Sequence, residues 1–362
     1  MKIRSIAFYL PQYHPIPEND SWWGRGFTEW TNVTAARARF PGHYQPHLPA
    51  DLGYYDLRLA EARAAQADLA RRYGISGFCY YHYWFHGKRL LQRPFDEVLR
   101  SGAPDFPFCL CWANENWTRS WNGRDKDVLL WQTYSPEDDL QHIRELASAF
   151  QDRRYIRLEG RPILLVYRVS NLPDPAATAT RWRQECRALG IGEIALLSVE
   201  SSPACQRDPR EIGFDYAVEF QPDWSRLPPP LRRGRRWRQL TRLGLSSSSF
   251  QHDRVMAYEA MVAAMRQKPI PPYPRFPCVT PAWDNSARRE THATILQGST
   301  PDLYGAWLGH EVQRLPERAL PEPWLFINAW NEWAEGNHLE PDQRWGLAYL
   351  AKTKEMLLNS LA

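Results

Sequence analysis

Apolar residues in this chain fall into eight short continuous runs: 3–10, 77–85, 106–113, 162–168, 193–200, 216–222, 276–284 and 324–330. Continuous apolar runs, as opposed to clean alternation, predict strands buried on both faces, as in a parallel sheet covered by helices. Between the runs the apolar spacing becomes helical. Residues 57–73 put Leu59, Ala62, Leu69 and Tyr73 on one face and stop at Gly74. Ser135-Pro136-Glu137-Asp138 reads as a helix start, with a cap, a first-turn proline and acids at the positive end of the dipole, and Leu140, Ile143, Leu146 and Phe150 continue it as a stripe. Residues 176–189 end at Gly190, Thr300-Pro301-Asp302 opens another helix, and 343–358 closes the chain. Only the fifth unit is thin, because residues 201–215 leave little room for a full helix. Eight strand–helix units predict an α/β fold, a (β/α)8 TIM barrel with long βα loops, as one domain over residues 1–362 with loop insertions at 21–51 and 225–250. A doubly wound open sheet is the alternative, and no glycine-rich phosphate loop supports it.

The polar and aromatic load is one-sided: it follows the runs and does not precede them. After the first come Gln12, Tyr13 and His14, just beyond Tyr9, then Trp23, Glu29 and Trp30. The second ends in Tyr81, His82 and Trp84, and the third in Trp112, Asn114, Glu115 and Trp117. The sixth carries Glu219. The seventh carries Trp283 and Asp284, with Arg288 beyond. The eighth ends in Trp330, Asn331, Glu332 and Glu335, with His338 following. A barrel gathers such residues into one crater at the C-terminal ends of its strands. They are therefore candidate substrate-binding residues, apart from Arg288, to which the pattern assigns no role. Glu332 and Glu335 are the candidate catalytic pair, since two carboxylates beside flat rings suit glycosidic bond cleavage. Glutamates three apart also occur in exposed first helical turns, where the dipole favours them. The strand-end position and the flanking Trp330 and Trp333 argue against that reading.

Composition narrows the partners. Aromatic residues make up 13% of the chain, with 17 Trp and 17 Tyr, many beside polar side chains, which suits an oligo- or polysaccharide. A net charge of +4 is too weak for a nucleic-acid footprint. The six cysteines sit mostly in apolar runs and read as core residues in a reducing compartment. The first apolar stretch is too short for a signal peptide and no run spans a membrane, so the expected location is cytoplasmic. Arginine-rich 231–238 reads as a solvated loop, or as a peripheral contact with an acidic glycan or an anionic membrane. His14, His82, His86 and His338 have no metal-binding spacing, and no metal or cofactor is expected. A serine-nucleophile elbow and a Walker loop are both missing.

Ile6-Ala7-Phe8-Tyr9-Leu10-Pro11-Gln12-Tyr13-His14-Pro15, Trp22-Trp23-Gly24, Gly26-Phe27-Thr28-Glu29-Trp30, Tyr80-Tyr81-His82-Tyr83-Trp84-Phe85, Trp112-Ala113-Asn114-Glu115-Asn116-Trp117 and Asn331-Glu332-Trp333-Ala334-Glu335-Gly336 together resemble the WbsX-like proteins. Those proteins accompany polysaccharide and O-antigen gene sets and are commonly labelled glycosyltransferases. The same motifs are similar to those of glycoside hydrolase family 99, the endo-α-mannosidase type, whose fold is a (β/α)8 barrel. The resemblance implies a retaining glycosidase acting on a bacterial O-antigen-type polysaccharide at a manno- or 6-deoxy-manno sugar. It also implies that Glu332 deprotonates the sugar 2-hydroxyl to give a 1,2-anhydro sugar, and that Glu335 is the general acid/base. After the motif, Gly336-Asn337-His338 replaces the family 99 Gly-Thr-Gln. The alternatives are a glycosyltransferase of O-antigen synthesis and a non-catalytic glycan-binding barrel.

Overall fold

The computed structural model describes residues 3–119 and 124–358. Its core is a parallel barrel of eight strands: β1 Arg4–Tyr9, β2 Gly77–Phe85, β3 Phe108–Trp112, β4 Arg161–Val166, β5 Ala195–Glu200, β6 Tyr216–Glu219, β7 in two pieces, Arg275–Phe276 and Cys278–Val279, and β8 Trp324–Ile327. Each lies within or against one of the eight apolar runs. Pro277 has no N–H to give a ladder and splits β7. One piece pairs with β6 and the other with β8, which closes the ring through β8–β1 pairing. Strands β3, β5 and β8 are buried at every position, as a sheet wrapped on both faces requires.

The covering helices are Ala60–Arg72, Arg93–Ser101, Pro136–Gln151, Pro175–Ala188, Tyr258–Arg266, Pro301–Gln313 and Ala348–Leu358. The cap reading at Ser135 holds, its side chain accepting from the Asp138 N–H, and Thr300 does the same for Leu303. The thin fifth unit carries only two 3-10 turns, Pro203–Cys205 and Pro209–Ile212. Two expectations need correction: Leu59, placed on the apolar face of 57–73, is exposed and precedes the helix, which begins at Ala60, and the last helix begins at Ala348, five residues after 343. Asp342 Oδ1 accepts from the N–H groups of Arg344 and Trp345 and holds that stretch as a turn.

Segment 21–51 is not one open loop. Helix Glu29–Ala35 lies within it, and the end of helix Pro17–Trp23 overlaps it. Segment 225–250 contains helix Arg235–Arg242, which buries no residue. All six cysteines are free and buried. Among the described residues no helix is long and apolar enough to cross a membrane.

Candidate active site

Beyond β8 the chain makes a small hairpin. Asn331–Glu332 pairs antiparallel with Asn337–His338, and the 3-10 turn Trp333–Glu335 joins the two arms. Side chains at i and i+3 of a 3-10 turn eclipse one another, so Glu332 and Glu335 project the same way. Gly336 ends the turn at φ +56, where a Cβ would come within 2.9 Å of Asp284 Cβ and 3.1 Å of its carbonyl oxygen. Only glycine fits there.

The hairpin is fastened from several sides. Asn331 Oδ1 accepts from Leu10 N at 2.7 Å and its Nδ2 donates to Leu10 O at 3.0 Å, tying it to the end of β1. Tyr13 donates through its hydroxyl to Asn331 O and accepts from Trp333 N. Trp333 Nε1 donates to Glu340 at 2.6 Å, and Glu340 also accepts from Tyr55 and Gln66. Burial pushes the Glu340 carboxyl up to about 7, against the pull of these donors.

Glu332 and Glu335 both face a cleft made of two adjoining hollows of about 600 and 620 Å³. Of the sequence-predicted residues, Gln12, Trp23, Tyr81, Glu115, Trp117 and Trp283 line it. Tyr83, Asn116, Tyr167, Phe220 and Arg288 complete the walls without having been singled out as site residues. Tyr83 and Asn116 sit inside the aromatic motifs, so their neighbours were the signal. Tyr167 and Phe220 lie near the ends of runs four and six.

Arg288 is the electrostatic centre. Its Nη1 lies 2.6 Å from Glu335 Oε1, and its Nη2 lies 3.0 Å from Glu332 Oε2 and 3.1 Å from Glu29 Oε2. Glu29 is fully buried, so it supports the site from behind the cleft wall. Three carboxylates converge on one guanidinium, and they cannot all stay charged in a space shielded from water. Burial drives Glu332 up to about 8; Arg288 opposes the rise, and Glu335 and Glu29 add to it. Burial also raises Glu335, with Arg288 and Arg289 opposing it. The pair therefore titrates as one unit and holds a proton near neutral pH. Burial raises both carboxyls, so the pair can keep one proton for leaving-group protonation beside one charge, as the family resemblance requires.

The structure does not bring the remaining predicted residues into the cleft. Tyr9 donates to Gln66, Trp30 to Tyr55 O, Trp84 to Asp138 and Trp112 to Trp84 O, each indole or phenol finding its one polar partner inside the protein. Tyr13 and Asn331 form the fastenings already described. His14 is buried. His82 stacks on His142, and burial lowers it to about 3. Asn114 bonds the backbone of Arg168 at the end of β4. Glu219 faces Lys268 and Arg275, whose charges outweigh its burial and hold it near 2. Trp330 is packed against Phe78. Asp284 accepts from His43 and Gln45, and His338 lies against His47; both line a different cavity.

The fold is a (β/α)8 barrel with paired glutamates in a cleft just beyond the C-terminal end of its last strand. The chain belongs to the WbsX family: the family model described as "Glycosyltransferase WbsX" matches residues 5–353. It is 47% identical over 353 residues to the uncharacterised protein WxcX of Xanthomonas campestris pv. campestris, covering 97% of this chain and 49% of that protein. The chain thus spans about half the length of the curated relatives it matches. Among solved structures it is similar to a protein titled "Glycoside hydrolase-like protein", with TM-score 0.61, 14% identity and coverage of 98% and 94% of the two chains. It is also similar to the family 99 endo-α-mannosidase of Bacteroides thetaiotaomicron, with TM-score 0.58, 14% identity and coverage of 99% and 97%. At these identities the likeness concerns the fold.

Proposed function

We propose that the protein is a retaining glycoside hydrolase acting on a bacterial O-antigen-type polysaccharide at a manno- or 6-deoxy-manno sugar. The observation that carries this reading is the pair Glu332 and Glu335, clamped by one arginine and facing a cleft walled by Trp23, Trp117, Trp283, Tyr81 and Tyr83. Flat rings suit the apolar faces of a sugar, and the carboxylates meet its hydroxyls and its glycosidic oxygen.

In the proposed reaction Glu332 takes the proton of the sugar 2-hydroxyl. The freed O2 attacks C1, the bond from C1 to the leaving oxygen breaks, and Glu335 protonates that oxygen. Water then opens the 1,2-anhydro sugar at C1, Glu335 takes the water proton, and Glu332 returns its proton to O2. The sequence starts with the pair's proton on Glu335, whose carboxyl burial raises above its ordinary value. Both carboxylates share Arg288, which keeps them oriented through the exchange.

The family description favours a second reading, a glycosyltransferase of polysaccharide synthesis. One experiment separates the two. The protein is incubated with α-manno- and α-rhamno-configured oligosaccharides, and in parallel with nucleotide sugars plus acceptor. Reducing sugar released without any nucleotide supports the hydrolase. Nucleotide release coupled to acceptor extension supports the transferase. Glycan binding with neither product supports the non-catalytic barrel. We further propose that the arginines of 231–238 make peripheral contact with an anionic partner. Helix Arg235–Arg242 stands clear of the core, and the adjacent Leu243 and Leu245 are exposed.

A further inference from the structure

The other face of the catalytic hairpin carries a group of side chains that the cleft does not use. His47, His338 and Asp342 are all buried, and one ligand atom from each lies within 4.8 Å of the others. They come from three segments: the stretch after β1, the hairpin itself and the turn before the last helix. His338 Nδ1 lies 2.8 Å from Glu340 O, so that nitrogen carries the hydrogen and Nε2 keeps its lone pair. This Nε2 faces His47 Nδ1 at 2.9 Å and Asp342 Oδ2 at 3.9 Å. Asp342 has committed Oδ1 to the Arg344 and Trp345 N–H groups and turns Oδ2 toward His338. A ring nitrogen fixed by a backbone carbonyl and a carboxylate oriented by backbone donors are the outer supports that metal ligands characteristically have.

The cluster opens onto a cavity of about 700 Å³, bordered also by Tyr44, Gln297 and Tyr349. Trp283 separates it from the cleft, bordering both. First-row metals bind nitrogen and oxygen at about 2.0–2.2 Å, which puts neighbouring ligand atoms roughly 2.9–3.5 Å apart. The two imidazoles already meet that spacing; Asp342 Oδ2, 3.9 Å from His338 Nε2 and within 4.8 Å of His47 Nδ1, must swing inward to complete it.

We propose that His47 Nδ1, His338 Nε2 and Asp342 Oδ2 bind one divalent transition-metal ion of the zinc type, with water from the cavity filling its open positions. Without the ion, a hydrogen bond from one ring to the other fills the gap. With it, His47 carries its hydrogen on Nε2 and both facing nitrogens donate lone pairs. The role is positional. His338 pairs with Asn331 across the hairpin and stacks on Trp333 with ring centroids 3.8 Å apart. An ion there fastens the turn bearing Glu332 and Glu335 to the segment holding His47. The site does not depend on the proposed reaction.

The test uses the full chain, stripped with a chelator and titrated with cobalt(II). The expected result is one equivalent bound, a visible d–d absorption band and a raised unfolding midpoint, with zinc displacing the cobalt. His47→Gln and Asp342→Asn, which lie outside the hairpin, should remove the band and the midpoint shift while keeping the wild-type circular dichroism. If a variant loses that fold, the other decides. No band at saturating cobalt, or a band that survives in both variants, overturns the proposal.

Discussion

Arg288 lies closer to Glu335, at 2.6 Å, than to Glu332 at 3.0 Å or Glu29 at 3.1 Å. This contact places the strongest attraction on the residue to which the proposed mechanism gives the leaving-group proton. Arg288 lowers the proton affinity of both glutamates, so removing it must raise both. Arg288→Ala should reduce kcat/KM by about 10²–10³, the usual cost of deleting one preorganised charge donor. If one carboxylate must be ionised for turnover, the acidic limb of the pH profile should also move to higher pH. Arg288→Lys keeps the charge but loses the fork and should recover only part of the rate. Steady-state kinetics across pH check both.

Glu332 makes stability depend on pH. An unfolded glutamate ionises near its ordinary value, so between there and about 8 the folded protein holds a proton that the unfolded chain has lost. Stability therefore falls as pH rises through that window. Glu332→Gln cannot ionise and escapes the loss. Its Tm should exceed that of the wild type at pH 8, by about 2 °C or more if the difference is of the order of 1 kcal/mol, and the two should converge near pH 4.5. Differential scanning calorimetry in matched buffers measures this.

Gly336→Ala should destabilise the protein by on the order of 1–3 kcal/mol, the range for a strained backbone position. Its Cβ would press on Asp284, whose N–H is bonded to Glu335 O at 2.6 Å. The same displacement should lower kcat, because Glu335, the proposed acid/base, moves with the turn. Urea unfolding and kinetics on one preparation test both effects.

Trp117 borders both hollows of the cleft. Trp117→Ala should raise KM about three- to tenfold, as expected from losing an aromatic contact of roughly 0.5–1.5 kcal/mol. Its effect on kcat should be smaller, because the proposed reaction has Trp117 hold sugar and move no proton. Oligosaccharides of increasing length show which hollow it serves.

The barrel was readable because strands buried on both faces must be continuously apolar, whatever else the chain does. Strand ends were less readable. The run 216–222 stays apolar past Glu219, where β6 ends, because Phe220 leaves the ladder to form a wall of the cleft. That Glu332 and Glu335 share one cleft was legible from their spacing at a strand end. The aromatic residues divided in a way no local pattern carries. Trp84 and Trp117 both stand among polar neighbours, yet one indole finds Asp138 inside the protein and the other lines the cleft. His47 gave no signal, since its contact with His338 spans 291 residues of sequence.

The central claim is that Glu332 and Glu335 break a glycosidic bond with retention of configuration. The most direct measurement follows the first anomer released from an accepted oligosaccharide by proton NMR, for the wild type, Glu332→Gln and Glu335→Gln. The account predicts the retained anomer from the wild type and rates lowered about 10²–10⁴-fold in each variant, the span typical of a lost acid or base. An inverted first product, or release at the wild-type rate from either variant, would contradict it.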